Sequence, residues 1–324
     1  MRFVVYGAGA IGGLIGGRLF ESGQDVVLIA RGAHGTAIAE RGLLIEDPDR
    51  AVTLPVPVVV RPSEVAFGPD DVVILATKTQ DTAAAVEALA AVAPPSLRVV
   101  CAQNGVENER LVSERFATVI AMCVMCPATH LTPGIIEAGS APVPGILDVG
   151  RYPSGVDGTV VELAAALRGA TFASEPRPDI MRWKYAKLLM NLLNAVEATC
   201  GFGPGSGDVI DRIRAEGLAA LAAAGIDHVP ESEDRERRGD LITLRPVGGR
   251  RRGGGSSWQS IRRGAGSVEA RFLNGEVVRL GRDHGVPTPA NEVIIEVAEE
   301  LAHRGGEPGS VDPELIVGLI DARS

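Results

Sequence analysis

The sequence predicts an α/β fold: an N-terminal Rossmann-type domain built on a parallel sheet, followed by an all-α C-terminal domain. Three observations carry this. Short, continuously apolar strands alternate with helical segments through the first half of the chain. A glycine-rich turn, Gly7-Ala8-Gly9-Ala10-Ile11-Gly12, directly follows the first of those strands. Beyond Glu175-Pro176-Arg177-Pro178-Asp179 the pattern changes to long helices. With 324 residues the chain has the length of two typical domains, expected at 1–176 and 177–324.

Arg2–Tyr6 reads as a β-branched strand, Ile11–Ser22 as a helix ended by Gly23, and Asp25–Ala30 as a second buried strand. Thr36–Glu40 reads as a short helix. Asp71–Ala76 is a further strand, Thr82–Val92 an alanine-rich helix and Arg98–Ala102 another strand. The run VIAMCVMC, holding Cys123 and Cys126, reads as a buried strand. In the second half Ile180–Thr199, Gly207–Ala224, Val268–His284 and Asn291–His303 have helical patterns. Between the second and third of these, Pro230–Gly255 is polar, ends in GGRRRGGG and reads as a mobile loop with room for one helical turn.

Composition bounds the function. Lys and Arg number 32 against 41 Asp and Glu, a net charge of −9, which argues against nucleic-acid binding by phosphate neutralisation. A small anionic ligand needs only a local positive site. Hydrophobic residues make up 45 %, too many for disorder, and a chain of this size needs neither disulfide nor metal staple. Four cysteines make no disulfide framework, and a reducing, cytoplasmic setting fits. Cys123 and Cys126, three apart on a strand, point to opposite faces, so no metal site is expected. The first residues mimic a signal peptide but are rich in glycine and alanine, and no segment has the ~18 apolar residues of a membrane span.

Each glycine of the turn has a reason. Gly7 allows a tight turn, Gly9 lets a pyrophosphate approach the backbone, and Gly12 lets helix and strand pack closely. The helix start offers unpaired N–H groups and a positive dipole end to the anion. The second strand ends in Ile29-Ala30-Arg31, where an NAD site usually has an acid for the ribose 2′-hydroxyl. Arg31 would attract a 2′-phosphate instead, which points to NADP(H).

The segment Arg182–Ala198 carries the chemistry. At about 100° per residue, Lys184, Lys187, Asn191 and Asn194 fall within about 80° of arc. Most other positions are apolar, as in a buried helix. A buried polar stripe is costly unless it faces a polar ligand in a cleft; a surface stripe is the alternative.

These residues stand in a wider pattern that resembles the ketopantoate reductase (2-dehydropantoate 2-reductase) family. The matching segments are GAGAIG at the start, IARG after the second strand, ATKTQDT at 76–82, QNGVEN at 103–108, PATHLTPG at 127–134, WKYAKLLMN at 183–191 and SSWQSIRRGAGSVEARFLNGE at 256–276. They keep their order over most of the chain, and the last two are much more specific than the glycine turn. The resemblance implies that Gly7, Ala8, Gly9, Ala10, Ile11, Gly12, Arg31, Lys78, Asn104 and Ala128 line the cofactor. It implies Lys187 as the catalytic acid, Asn191, Ser257 and Asn104 at the substrate, and Glu269 between the substrate hydroxyl and the nicotinamide ribose. The chain departs from the family in three places. Ala195 stands where a second asparagine is usual, with Asn194 one residue early; Thr-Glu-Ile-Asp becomes Val268-Glu269-Ala270-Arg271; and the aspartate after the serine pair is replaced.

The implied reaction is hydride transfer from NADPH to the 2-oxo group of ketopantoate, giving pantoate. Negative charge would develop on the ketone oxygen. Lys187, with an ordinary pKa of ~10.4 that burial and the neighbouring Lys184 would lower, can stabilise that oxygen and donate a proton. The partner is then a small 2-oxo acid rather than nucleic acid or membrane, and the reading admits a homodimer. Two alternatives stand: a reductase of the same fold acting on another 2-oxo acid, and an NADP-binding sensor without chemistry. A sensor has no need for Lys187, Asn191 and Glu269 together.

Overall fold

The computed structural model describes residues 1–323. The chain forms two compact units: Met1–Lys184 with Pro230–Arg252, and Tyr185–Val229 with Gly253–Ser324.

The first unit opens with strand β1 (Arg2–Tyr6), helix α1 (Ala10–Glu21), β2 (Asp25–Ile29) and α2 (Gly32–Arg41). Three short strands follow, β3 (Leu43–Glu46), β4 (Ala51–Leu54) and β5 (Val58–Val59). Then come β6 (Asp71–Leu75), α3 (Thr82–Ala90), β7 (Arg98–Cys101), α4 (Asn108–Ser113) and β8 (Thr118–Met125). The rest are β9 (Ala128–Thr129), β10 (Ile135–Ala138), β11 (Ser140–Pro142), β12 (Ile146–Arg151) and α5 (Gly158–Gly169).

Seven strands make the main sheet in the order β12-β8-β7-β6-β1-β2-β5. All pairs are parallel except β12 with β8. Alternation along β1 sends Phe3 and Val5 to one hydrophobic layer with Leu14, Ile15 and Leu19 of α1. It sends Val4 to the other, with Val86 and Leu89 of α3. Both faces are covered, which is why these strands read as unbroken apolar runs. A second sheet, β4-β3-β10-β9, comes from strands of two to four residues that the sequence did not announce.

Pro230–Gly255 departs from the expected mobile loop. It contains a helix, α9 (Glu231–Arg238), and a strand, β13 (Ile242–Leu244), which pairs antiparallel with β11. The physical reason is a buried charge. Asp148 on β12 is 2 % exposed and receives both Arg237 Nε at 2.9 Å and Nη2 at 2.7 Å, with Arg177 Nε at 3.3 Å. A buried carboxylate without such partners would be strongly destabilising, so the segment is tied down. Two arginines of the polar stretch are likewise paired: Arg245 with Asp49, and Arg250 with Glu46 and Glu137.

The second unit is helical among the described residues. Helix α6 (Ile180–Asn191) contributes its residues from Tyr185 onward, followed by α7 (Leu193–Thr199), α8 (Ser206–Ala223) and α10 (Ser256–Arg262). It closes with α11 (Ala270–His284), α12 (Pro289–His303) and α13 (Pro313–Asp321). The expected single helix over 180–199 is interrupted at Leu192. Asn274 Nδ2, fully buried on α11, donates to the Leu192 carbonyl at 3.2 Å and to Asn291 Oδ1 at 3.0 Å. Asn291 Nδ2 in turn donates to Glu216 Oε2 at 2.7 Å. Gly217 makes room for Leu192 and Leu189: a Cβ there would lie 2.8 and 3.0 Å from their methyls. No helix of the described residues is long and apolar enough to cross a membrane.

Candidate active site

In the first unit the predicted cofactor residues converge on one edge of the main sheet. Strands β7, β6, β1 and β2 are parallel neighbours, and Tyr6 is in register with both Ile29 and Leu75, as is Leu75 with Cys101. Their carboxyl ends are therefore aligned. Asn104, Lys78, the glycine turn and Arg31 follow those ends in that spatial order. Ala128 emerges beyond the adjacent parallel strand β8 and lies buried in β9. Open parallel sheets take ligands at such a carboxyl edge.

The turn has the shape its glycines suggest. Gly7 adopts φ +99°, and a Cβ would lie 2.9 Å from the Thr77 nitrogen. At Gly12 a Cβ would fall 2.1 Å from the Gly7 carbonyl oxygen and 2.9 Å from the Ala76 side chain. At Gly9, by contrast, a Cβ would meet nothing within 4 Å. Gly9 is the N-cap of α1, and the first turn carries no acidic side chain. An anion can approach this backbone unopposed. Arg31 is the exposed N-cap residue of α2. Its charge reaches Tyr6 at the end of β1: burial raises the Tyr6 phenol, and Arg31 partly counters that.

A buried polar network steadies the two loops beside the turn. Gln103 Nε2 donates to the Thr77 carbonyl at 2.9 Å and to Thr82 Oγ1 at 2.7 Å. Thr82 Oγ1 donates to Asn108 Oδ1 at 2.8 Å, and Asn108 Nδ2 donates to the Asn104 carbonyl at 2.9 Å. Lys78 and Asn104 are thus carried by cross-linked loops. Sequence reasoning passed over Gln103, Thr82 and Asn108. The signal was a polar run flanked by buried elements, but polarity alone does not reveal that these side chains are buried.

Lys184 departs from the expected ligand-facing stripe. It is 3 % exposed, ion-paired with the fully buried Glu109 on α4, and donates to the Gln103 carbonyl at 3.1 Å. Burial raises the Glu109 carboxyl and the Lys184 ammonium opposes that. The Lys184 ammonium thus has its ionic partner in Glu109. The helical wheel grouped Lys184 with Lys187 because it cannot see a partner 75 residues upstream.

The helical unit holds the remaining predicted residues. Lys187 and Asn191 lie one turn apart on α6, the first half-buried and the second 4 % exposed. Ser257 stands in the first turn of α10, and its Oγ is buried without a hydrogen-bond partner. A native buried hydroxyl in that state calls for a ligand or a water. Two α7 side chains fix the start of α10: Glu197 Oε2 accepts the Gly255 N–H at 2.7 Å, and Asn194 Nδ2 donates to Ser256 Oγ at 3.3 Å. Glu269, 7 % exposed, immediately precedes α11 rather than lying in its first turn. Its charge acts on Arg263, whose guanidinium is lowered by burial.

A parallel sheet with this glycine turn, joined in one chain to a helical unit bearing a lysine, an asparagine, a serine and a buried carboxylate, defines a dinucleotide-dependent oxidoreductase. Comparison with known proteins makes this particular. Residues 3–153 match the family described as ketopantoate reductase PanE/ApbA, and residues 179–302 match its C-terminal part. The chain belongs to the ketopantoate reductase family. It is 28 % identical over 318 residues to a 2-dehydropantoate 2-reductase of Halobacterium salinarum, covering 94 % of this chain and 100 % of that one. A solved PanE/ApbA family ketopantoate reductase from Ralstonia eutropha superposes with TM-score 0.79 at 27 % identity, covering 94 % of this chain and 99 % of that one. A D-mandelate dehydrogenase solved with NADH and anilino(oxo)acetate shares the fold, with TM-score 0.80 at 22 % identity over 94 % of this chain and 99 % of that one.

Proposed function

We propose that the chain catalyses the NADPH-dependent reduction of 2-dehydropantoate to pantoate, in the cytoplasm, with Lys187 as the general acid. The observation that carries this reading is that the residues of one family stand in order in both units. The dinucleotide residues lie at the sheet edge, and Lys187, Asn191, Ser257 and Glu269 lie in the helical unit. The open side of Gly9 and the acid-free first turn of α1 fit a pyrophosphate. Gly7 to Gly12, Lys78, Asn104 and Ala128 would hold the dinucleotide, and Arg31 its 2′-phosphate. When bound, the reduced nicotinamide supplies the hydride.

Lys187 stabilises the charge that builds on the ketone oxygen and delivers a proton to it, so the product leaves as a neutral hydroxyl. Asn191, one turn on, holds the same oxygen or the carboxylate. Ser257 donates its otherwise unpartnered hydroxyl to the substrate. Glu269 accepts from the substrate hydroxyl and the ribose.

A second reading keeps the chemistry and changes the acid. Ala195, 1 % exposed, replaces the family's second asparagine, and Asn194 is engaged with Ser256. One polar contact to the substrate is thereby lost, which favours a 2-oxo acid other than 2-dehydropantoate; the fold itself is shared with D-mandelate dehydrogenase. The test follows NADPH absorbance with 2-dehydropantoate beside a panel of 2-oxo acids. The first reading requires 2-dehydropantoate to give the highest kcat/KM. No oxidation with any of them would leave a binding protein without chemistry.

A further inference from the structure

We propose that His34 is a positioning residue of the dinucleotide site: as the neutral ring protonated on Nε2, it fixes the Ala8–Gly9 peptide so that the Gly9 N–H is presented to the anion. The inference rests on the dinucleotide reading above and adds a residue that this reading does not use.

The protonation state follows from the partners. His34 Nε2 lies 2.7 Å from the Ala8 carbonyl oxygen. A carbonyl only accepts, so Nε2 carries the hydrogen. The Gly134 N–H reaches Nδ1 at 2.8 Å. An amide N–H only donates, so Nδ1 is bare. Of the three forms of the ring, only one satisfies both.

The consequence for the turn follows from peptide geometry. In a planar trans peptide the C=O and the following N–H point in opposite directions. With the Ala8 carbonyl turned onto His34, the Gly9 N–H is turned away from it. On the Gly9 residue a Cβ would meet nothing within 4 Å, so the protein leaves room there. Without His34, the Ala8–Gly9 peptide can rotate and bring a carbonyl oxygen toward a phosphate. The ring is itself held by α2 and by the His130 ring, whose centroid lies 4.1 Å away.

A second proton on His34 would set an N–H against the Gly134 N–H. The ring must then move, and Ala8 loses its donor. Burial lowers the His34 pKa below the usual histidine value, and the Ala8 bond opposes this. The groups facing the ring are the Ala8 carbonyl, the Gly134 amide and His130, itself able to titrate. The neutral form therefore prevails at neutral pH, and the bridge is lost as pH falls through the lowered pKa.

The experiment is titration calorimetry of the full chain with NADPH and with NADH, from pH ~8 to ~5. NADH is included because the 2′-phosphate of NADPH itself titrates near pH ~6. His34→Ala is expected to bind both dinucleotides about tenfold more weakly near neutral pH, the value of one lost hydrogen bond. His34→Gln, whose amide donates and accepts without titrating, is expected to recover most of that affinity and to stay flat where wild type weakens in acid. A His34→Ala protein with wild-type affinity and an unchanged pH profile would overturn the inference alone. Wild-type protein that binds neither dinucleotide would overturn the reading beneath it as well.

Discussion

The sheet edge and the helical unit offer their candidate residues in different materials. At the sheet edge the candidate features are backbone: Gly7 and Gly12, which have no room for a Cβ, a helix start whose Gly9 is open, and loops leaving parallel strands. In the helical unit they are side chains, Lys187, Asn191, Ser257 and Glu269, carried by helices and supported by others. Backbone sites are defined by what must be absent. Side-chain sites are defined by what must be present and by the partners that hold it there. Substitutions should therefore fail in different ways in the two regions.

The largest effect is expected at Lys187. Lys187→Ala should lower kcat by about 10²–10⁴-fold while leaving dinucleotide affinity within about twofold of wild type, measured by NADPH oxidation and calorimetry. Comparable losses in both quantities would erase the distinction between the regions. Gly12→Ala should do the reverse. Its Cβ, 2.1 Å from the Gly7 carbonyl oxygen, forces the turn open. A loss of about 1–3 kcal/mol of stability and a clear fall in dinucleotide affinity are expected, read by denaturant titration and binding.

Arg31→Ala sharpens the comparison, because Arg31 is an exposed side chain at the backbone-built edge. It should reduce the preference for NADPH over NADH by roughly tenfold, chiefly through KM for NADPH. Equal loss with both cofactors would take the 2′-phosphate out of its role. The smallest effect is expected from Ser257→Ala. Removing one neutral donor should raise KM for the 2-oxo acid by about three- to tenfold at unchanged stability. A gain in stability with unchanged KM would mean that the orphaned hydroxyl is only a burden on the core.

The same contrast governs what the sequence made legible. The strands β1, β2, β6, β7 and β8 are apolar runs, and the glycine turn is contiguous, so both could be read directly. The second sheet could not, because strands as short as Ala128–Thr129 have no periodicity of their own. The divide between the units was expected at 176/177, whereas contacts divide the chain at Lys184 and again around 230–252. Trp183 and Lys184 are held back by Cys123, whose thiol donates to the Trp183 carbonyl, and by Glu109. Neither tie has a local signature. On the helical side, Lys187 and Asn191 could be found by their spacing, but Glu197 and Asn194, which hold Gly255 and Ser256 at the start of α10, act across more than 55 positions of sequence.

The return of 230–252 to the first unit has a consequence for anyone who would dissect the molecule. The polypeptide passes from one unit to the other at 184/185, at 229/230 and at 252/253. A gene fragment stopped at 184 would leave β11 with a bare edge and Asp148 without its forked guanidinium from Arg237. Truncation at the first crossing is expected to yield an aggregating remnant rather than a free-standing dinucleotide binder. A usable version would need the 230–252 stretch grafted back through a designed linker.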